Sequence, residues 1–524
     1  MDILLLICLL ACCSVLVLLV KVGNSIWWKP LQLKKHFECQ GIRGPPYRLG
    51  YGNMVDMLQM REKAISTPMK LSHNIIPRAL SFYDSWTRTY GQTFIHWLGS
   101  TVRLNITDPD LIWEVLCNKS GLYKKCTQMK QLNGDGLVSL EGEMWAQHRR
   151  IINPAFHIDN LKGLVPMMVA STSTMLAKWK ERIEKDANEI EACKEFRDLT
   201  DDILSHIMFG GSYVEGRQIF DMQAEQALLI SEAPRSLLCA LISRFCPSRK
   251  KRYMRKLDKE IRSSLRQLIE SRKKVRSAGR SNGYSGDLLS VMTAGSRSKD
   301  TQQLQGGFVQ KTIIMETEEI IDECKTFFFA GHDTTVCLLT WTMVLLGMYP
   351  YWQDRARKEV LSICGQGAPK PENVNHLKLM GMILNEALRL YPPVVALIRQ
   401  TDNDTKLGSL SIPAGTQLLF PIIALHHDEE LWGENAKEFN PERFSEGVSK
   451  AAKHPMAFMP FGLGPRVCVG QNFPVLQAKV ILAMILQQFS FSVSPTYTHA
   501  PIPMVFLQPQ FGAQMILSSI PHNE

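Results

Sequence analysis

Apolar residues run from Ile3 to Val20 with Ser14 as the one interruption, and Lys21 closes the run. Eighteen helical residues span roughly 27 Å, close to the hydrocarbon thickness of a bilayer, so residues 1–22 are expected to form a membrane-crossing helix. A cleaved leader is the alternative. The run is long for a leader's apolar centre, however, and Trp27, Trp28, Lys29, Lys34 and Lys35 follow where a small-residue cleavage site belongs. With the positive flank after the run and Asp2 before it, the body that follows is expected in the cytosol. Residues 23–46 are basic and aromatic and end in Gly44-Pro45-Pro46, which predicts a linker with a stiff hinge.

Beyond the hinge the pattern is mixed as far as about Leu140, with a β segment expected over Thr93–Thr107; helical periods then dominate. Met254, Leu257, Ile261, Leu265 and Leu268 recur at helical spacing through a strongly basic stretch. Arg276–Gly286 and Gly295–Gly307 are rich in glycine, serine and charge and are expected to be exposed loops. Glu316, Glu318 and Glu319 open the longest helix candidate, which runs to Met348. Another helix, a proline-bounded strand region over Pro392–Gly415, loops and a helix after Gly470 complete the chain. The pattern predicts a mainly α fold with smaller β sheets behind the anchor, and length alone leaves open whether 47–524 is one body or several.

Composition sharpens this picture in three places. The chain is 45% hydrophobic and its 27 prolines are scattered, which suits a large core. Its 13 cysteines are odd in number, three of them lie in the apolar run, and no C-x-x-C pair occurs, as fits a reducing compartment. In that compartment the sequons at Asn105, Asn118 and Asn403 are chance matches. The net charge of +10 is concentrated at Arg249–Arg276, where thirteen Lys or Arg face three acids. The apolar stripe through that stretch favours a helix with a solvated basic face over a nucleic-acid surface, with anionic lipid as the second partner. No phosphate-cradling loop motif is present, so any reducing power comes from a partner protein.

Candidate chemistry centres on "FGLGPRVCVG", Phe461–Gly470. A thiolate at Cys468 needs positive potential or N–H donors around its sulfur, and the start of the following apolar helix supplies both. The glycines let backbone approach a planar ligand, and Arg466 can pair with a carboxylate. A buried structural cysteine is the plainer reading of Cys468 by itself. Three further strings matter. "NEALRLYPP" places Glu386 and Arg389 on one helix face; "FFFAGHDTT" puts glycine and threonines in mid-helix, where they weaken the ladder; "EMWAQHRRI" sets Trp145 and Arg149 one turn apart. His426-His427 beside Asp428 suggests a metal, but adjacent side chains diverge and no H-x-x-x-H partner exists.

Together these strings resemble the cytochrome P450 superfamily, whose haem-binding signature F-G-x-G-x-R-x-C-x-G is filled at every fixed position from Phe461 to Gly470. The resemblance implies haem b (iron protoporphyrin IX) with Cys468 as axial iron ligand. It implies Trp145, Arg149, Arg399 and Arg466 as contacts to the haem propionates. Glu386, Arg389 and the Arg443 of "FNPERF" correspond to a structural cluster on the proximal side. Ala330, Gly331, Asp333 and Thr334 match the oxygen-activation motif, with Thr334 and Asp333 as the hydroxyl and the acid that serve dioxygen activation. Pro474, in the first turns of the helix after Cys468, departs from the small helix former usual there.

Segments such as "PRALSFYDSWTRTYGQTF", "MKQLNGDGLVSLEGEMWAQHRR" and "EFNPERFSEGVSKAAKHP" are similar to plant members of the seventy-two clan, which holds brassinosteroid-inactivating and cytokinin hydroxylases. What this implies is a monooxygenase acting on a lipophilic small molecule with O2 and electrons from NADPH-cytochrome P450 reductase. It would be anchored by a single pass in the endoplasmic reticulum membrane, body toward the cytosol, without nucleic-acid partners. Phe328, Phe329, Val394–Ile398 and Ile502–Leu507 fall at the family's recognition segments, and their apolar character suits such substrates. A peroxide-rearranging isomerase and a haem sensor share the proximal motif, but neither has use for an Asp333–Thr334 pair.

Overall fold

The structure is a computed structural model describing residues 2–126, 134–209, 213–231, 249–277, 288–294, 296–304 and 307–520. Helices dominate, as the periodicity predicts, and the described residues add a five-stranded sheet, a three-stranded sheet and three two-stranded ones.

The apolar run forms the helix Asp2–Gly23, and from Leu5 onward its side chains are exposed. The segment expected to be a linker instead prolongs that helix, through a widened turn at Asn24–Trp28 into Lys29–Glu38. Pro30 explains the widened turn. Its ring would clash with the carbonyl four residues back and it has no N–H to offer that carbonyl. The carbonyl in question, Ile26 O, accepts instead from the Tyr47 hydroxyl at 2.6 Å. Helix formers without a second breaker carry the chain on to Glu38, where Phe37 is buried against the body and the Gln40 side chain both donates to Ser411 O (3.0 Å) and accepts from Ser411 N (2.7 Å). The segment expected to be a linker is therefore helical as far as Glu38 and docked on the body through Phe37 and Gln40.

The β segment at Thr93–Thr107 is a hairpin, Phe94–Leu98 against Thr101–Asn105. It continues into a five-stranded sheet through Gln417–Phe420, Leu397–Thr401 and Tyr123–Lys125. Asn105 lies inside this sheet, fully buried, its amide donating to Phe94 O at 3.1 Å. A three-stranded sheet pairs Phe489–Val493, Gln514–Ser519 and Glu189–Glu191.

Thr317–Met348 is one uninterrupted helix through the core. Glu316 and Glu319 form a reciprocal capping box that satisfies the first free N–H groups, with Glu319 accepting from Glu316 N at 2.7 Å. The expected weakening at "AGHDTT" does not break it, although the Thr334 and Thr335 hydroxyls both bond back to the preceding turn, at 2.5 and 2.8 Å. Burial on all sides holds this helix together. It packs against helices Ala192–Phe209, Lys378–Leu390 and Asn472–Gln488, and Trp341 stacks on Tyr391 with centroids 4.3 Å apart.

The basic stretch is the helix Arg249–Ser277, with Leu257, Ile261, Leu265 and Leu268 buried as expected. Arg262 pairs with Asp258 and Asp322, so the polar face is partly neutralised within the fold. The loop expected over Gly295–Gly307 contains the strand Ser296–Leu304, polar at every position before Leu304, which pairs with Gly307–Ile313. The glycine-rich 278–287 lies outside the described residues.

Candidate active site

Cys468 follows the single turn Gly464–Arg466, and its N–H donates to Phe461 O at 2.9 Å, closing the loop. Gly462 and Gly464 have φ of +73° and +68°, conformations that disfavour a side chain. A Cβ on Gly464 would stand 2.4 Å from Leu116 O. That glycine therefore serves an approach of backbone to backbone, where a ligand approach was expected. Burial raises the Cys468 thiol pKa, while the Gly470 N–H, Arg149 and Lys125 act in the opposite direction. Cys468 nonetheless retains accessible surface. A group both exposed and deeply surrounded faces an interior space, as a ligand position must.

Pro474 is the third residue of helix Asn472–Gln488. The first four N–H groups of a helix have no internal partner, so the proline forfeits no bond and its departure from the family pattern is harmless to the loop.

Strand pairing brings the cations together. Lys125 stands directly opposite Arg399 across the edge of the five-stranded sheet, a like-charge pairing that is unfavourable unless an anion answers it. Arg466 joins them: it bonds Leu140 O at 2.8 Å, pairs with Glu141, and lies 4.1 Å over the Trp145 ring. Arg149 donates to Val467 O at 2.8 Å, next to the cysteine. Among the described residues Arg399 bonds its neighbour's carbonyl, Ile398 O, at 2.9 Å. Burial, then Arg399 and Arg466, push the Lys125 ammonium down to about 7. Burial and Arg466 likewise bring Arg399 down to about 10. Four cations with Glu141 set against them fit a ligand bearing two carboxylates. Lys125 escaped the sequence reading because nothing in a three-residue strand marks it. Trp145 contributes a ring face for Arg466.

Glu386, Arg389 and Arg443 lie together in the core. Glu386 and Arg389, both fully buried, form a two-pronged pair with both N–O distances 2.7 Å. Arg389 also donates to the carbonyls of His426 (2.8 Å), Ala436 (2.6 Å) and Glu438 (3.1 Å). Arg443 reaches Glu386 at 3.3 Å. The His426 ring, kept neutral by burial and by Arg389, accepts from Met459 N at 3.1 Å. A chain of bonds thus links Glu386 to the start of the cysteine loop. His427 bonds Leu390 O at 2.9 Å. The two histidines are scaffold partners.

On the central helix, Ala330, Gly331, Asp333 and Thr334 are partly accessible while the flanking turns are buried. Burial favours the neutral acid at Asp333, but His332 at 3.1 Å and Arg197 at 3.5 Å outweigh it and hold the carboxyl below its usual value. The recognition segments meet as well. Phe329 packs on Phe506 with centroids 5.2 Å apart, and Leu507 N donates to Pro393 O at 2.9 Å. Phe328 turns away to Phe220 and Phe209 and belongs to the core.

A loop-held thiol, cations for a dianionic ligand and an acid–alcohol pair on a core helix define a haem-thiolate oxygenase class. The family model for cytochrome P450 matches residues 75–517, and the chain belongs to that family of monooxygenases, whose cofactor is haem. It is 47% identical to cytochrome P450 734A1 of Arabidopsis thaliana over 97% of this chain and 95% of that protein. It is 44% identical to cytochrome P450 72A397 of Kalopanax septemlobus over 95% of each chain. Cytochrome P450 734A6 of Oryza sativa subsp. japonica is 44% identical, over 95% of this chain and 93% of the relative.

Proposed function

We propose that this protein hydroxylates a lipophilic plant hormone, steroid or terpenoid, taking electrons from NADPH-cytochrome P450 reductase. Haem b, held through Cys468, supplies oxygen activation when bound. Lys125, Arg149, Arg399 and Arg466 bind its carboxylates, and Arg149 and Lys125 favour the thiolate that ligation requires. Thr334 holds its proton against Ala330 O and is free to redirect it into the site. Asp333, kept ionised beside it, accepts and returns protons. Phe329 and Phe506 present an apolar wall that admits a lipophilic molecule and excludes water.

The observation carrying this reading is the carboxylate of Asp333, flanked by His332 at 3.1 Å and Arg197 at 3.5 Å and adjoining Thr334 on the core helix, an arrangement suited to delivering protons to reduced oxygen. Residues 47–524 form the catalytic body; the apolar helix Asp2–Gly23, exposed from Leu5 onward, anchors it by a single pass in the endoplasmic reticulum membrane, body to the cytosol. The test is incubation of the membrane-bound enzyme with reductase, NADPH and isotope-labelled dioxygen over a panel of steroids, terpenoids and hormones. One labelled oxygen in the product is expected. Unlabelled product, or turnover without NADPH, would overturn the reading.

A further inference from the structure

At the root of the hairpin that pairs Pro501–Pro503 with Leu507–Pro509 and carries Phe506, five polar rings from four segments form one hydrogen-bonded chain through the core. Burial, then His499 and Arg389, bring His73 down to about 4. Burial and Arg78 bring His499 down to about 4 against the pull of the Ser72 carbonyl. Both rings are therefore neutral at neutral pH, each with one N–H and one bare nitrogen. Ser72 O lies 3.2 Å from His499 Nε2 and can only accept, so His499 carries its hydrogen on Nε2. Its bare Nδ1 accepts from the Tyr497 hydroxyl at 2.8 Å. The Tyr391 oxygen faces the same Nε2–H at 3.4 Å, as an acceptor. Tyr391 is buried, so its own hydrogen goes to His73 Nδ1 at 2.8 Å, and His73 donates from Nε2 to the Tyr349 oxygen at 2.8 Å. One backbone carbonyl thus fixes the direction of every bond in the chain.

The chain joins the roots of the segments that carry the apolar wall. Tyr349 ends the central helix, Tyr391 ends helix Lys378–Leu390 just before Pro392-Pro393, and His499 stands just before the hairpin. Trp341, on the central helix, stacks on Tyr391 and donates from its indole to Leu507 O at 2.8 Å; Met69 N donates to His499 O at 3.1 Å. Deleting one buried hydroxyl here leaves its neighbour unpaired, which costs more than the bond itself. The hairpin's place therefore depends on the chain staying complete. We propose that Tyr391 and His499 are positioning residues for substrate selection, holding the hairpin so that Phe506 meets Phe329 as one wall. They act through Phe506. The inference rests on the wall assigned to these two phenylalanines above and adds what sets its place.

The test uses the full-length holoenzyme and two nitrogen ligands of haem iron, imidazole and 4-phenylimidazole, each titrated by the shift of the haem absorbance band. Wild-type, Tyr391→Phe, His499→Phe, His499→Gln and Phe506→Ala forms are compared, each first shown to keep the thiolate-type CO spectrum. Imidazole reports the haem alone, whereas the added phenyl ring needs the space that the wall bounds. Imidazole is expected to bind equally to wild type, Tyr391→Phe and both His499 forms. Affinity for 4-phenylimidazole is expected to fall several-fold in Tyr391→Phe, His499→Phe and Phe506→Ala, and to recover in His499→Gln, whose amide N–H can serve Ser72 O. Nitrogen-15 NMR of the ferrous carbon monoxide complex is expected to show His73 and His499 neutral, with hydrogen on Nε2. Wild-type affinity for 4-phenylimidazole in Tyr391→Phe and His499→Phe, with Phe506→Ala weakened, would overturn the positioning role, as would equal losses for both probes. Should His499→Phe lose the CO spectrum, Tyr391→Phe, which keeps the ring stacked on Trp341, decides alone. Unchanged affinity in Phe506→Ala would instead overturn the wall itself.

Discussion

Glu386→Gln is the substitution whose consequence the structure specifies most closely. The glutamine keeps the shape of the glutamate but removes the charge that two guanidiniums share, those of Arg389 and Arg443. Glu386 and Arg389 have no accessible surface, so solvent cannot replace what is lost. Removing one member of such a buried pair costs about 3–5 kcal/mol, because the remaining charge stays desolvated. With an unfolding entropy of roughly 2.1 cal/mol/K per residue, a body of this size carries about 1 kcal/mol/K. The unfolding midpoint is then expected to fall by about 3–5 °C. The loss also reaches the site, since Arg389 fixes the carbonyl of His426 and the His426 ring holds Met459 N. A thermal scan followed by haem absorbance, with the thiolate-type CO spectrum read at each temperature, checks both effects. A midpoint within one degree of the parent, or a lost midpoint without earlier loss of the thiolate signal, would refute the linkage.

Three other outcomes follow from particular contacts. Burial, Arg399 and Arg466 hold Lys125 at about 7 against the upward pull of Glu141, and a ligand's carboxylates pull an ammonium further upward. At pH 8 haem binding to the apoprotein should therefore take up about one proton at Lys125 against the proton that the Cys468 thiol releases on ligation, so that Lys125→Met should release about one proton more than the wild type, as read in weakly buffered solution. His332, raised in the fold to about 9, contributes stability that is fully present below the ordinary histidine pKa and is lost as pH rises through 9; urea midpoints of wild type and His332→Gln should converge there. Tyr47→Phe leaves Ile26 O without its 2.6 Å donor beside Pro30; proteolysis after the anchor should quicken by the five- to tenfold that about 1 kcal/mol of local opening corresponds to.

The sequence made the thiol, the Glu386–Arg389–Arg443 cluster and the Asp333–Thr334 pair legible because each lies in a short string whose spacing survives folding unchanged. What it concealed depends on register between distant strands. Lys125 meets Arg399 only because Tyr123–Lys125 pairs with Leu397–Thr401. His332 meets Asp201 only because two helices far apart in sequence pack side by side. The docked helix Lys29–Glu38 was hidden for a different reason. Pro30 argues locally for a break, and the hydroxyl that rescues the bend comes from Tyr47, beyond the hinge. At Gly464 the sequence showed a glycine but not its neighbour, the Leu116 carbonyl.

The central claim is that Cys468, rather than another of the thiols, ligates haem iron as a thiolate. Membranes bearing the full-length protein, reduced and exposed to carbon monoxide, report that ligand directly in their difference spectrum. The wild type should give the thiolate-type band, and Cys468→Ser should lose it while Cys364→Ser, at a half-buried thiol elsewhere in the fold, keeps it. An unchanged thiolate band in Cys468→Ser would contradict the account.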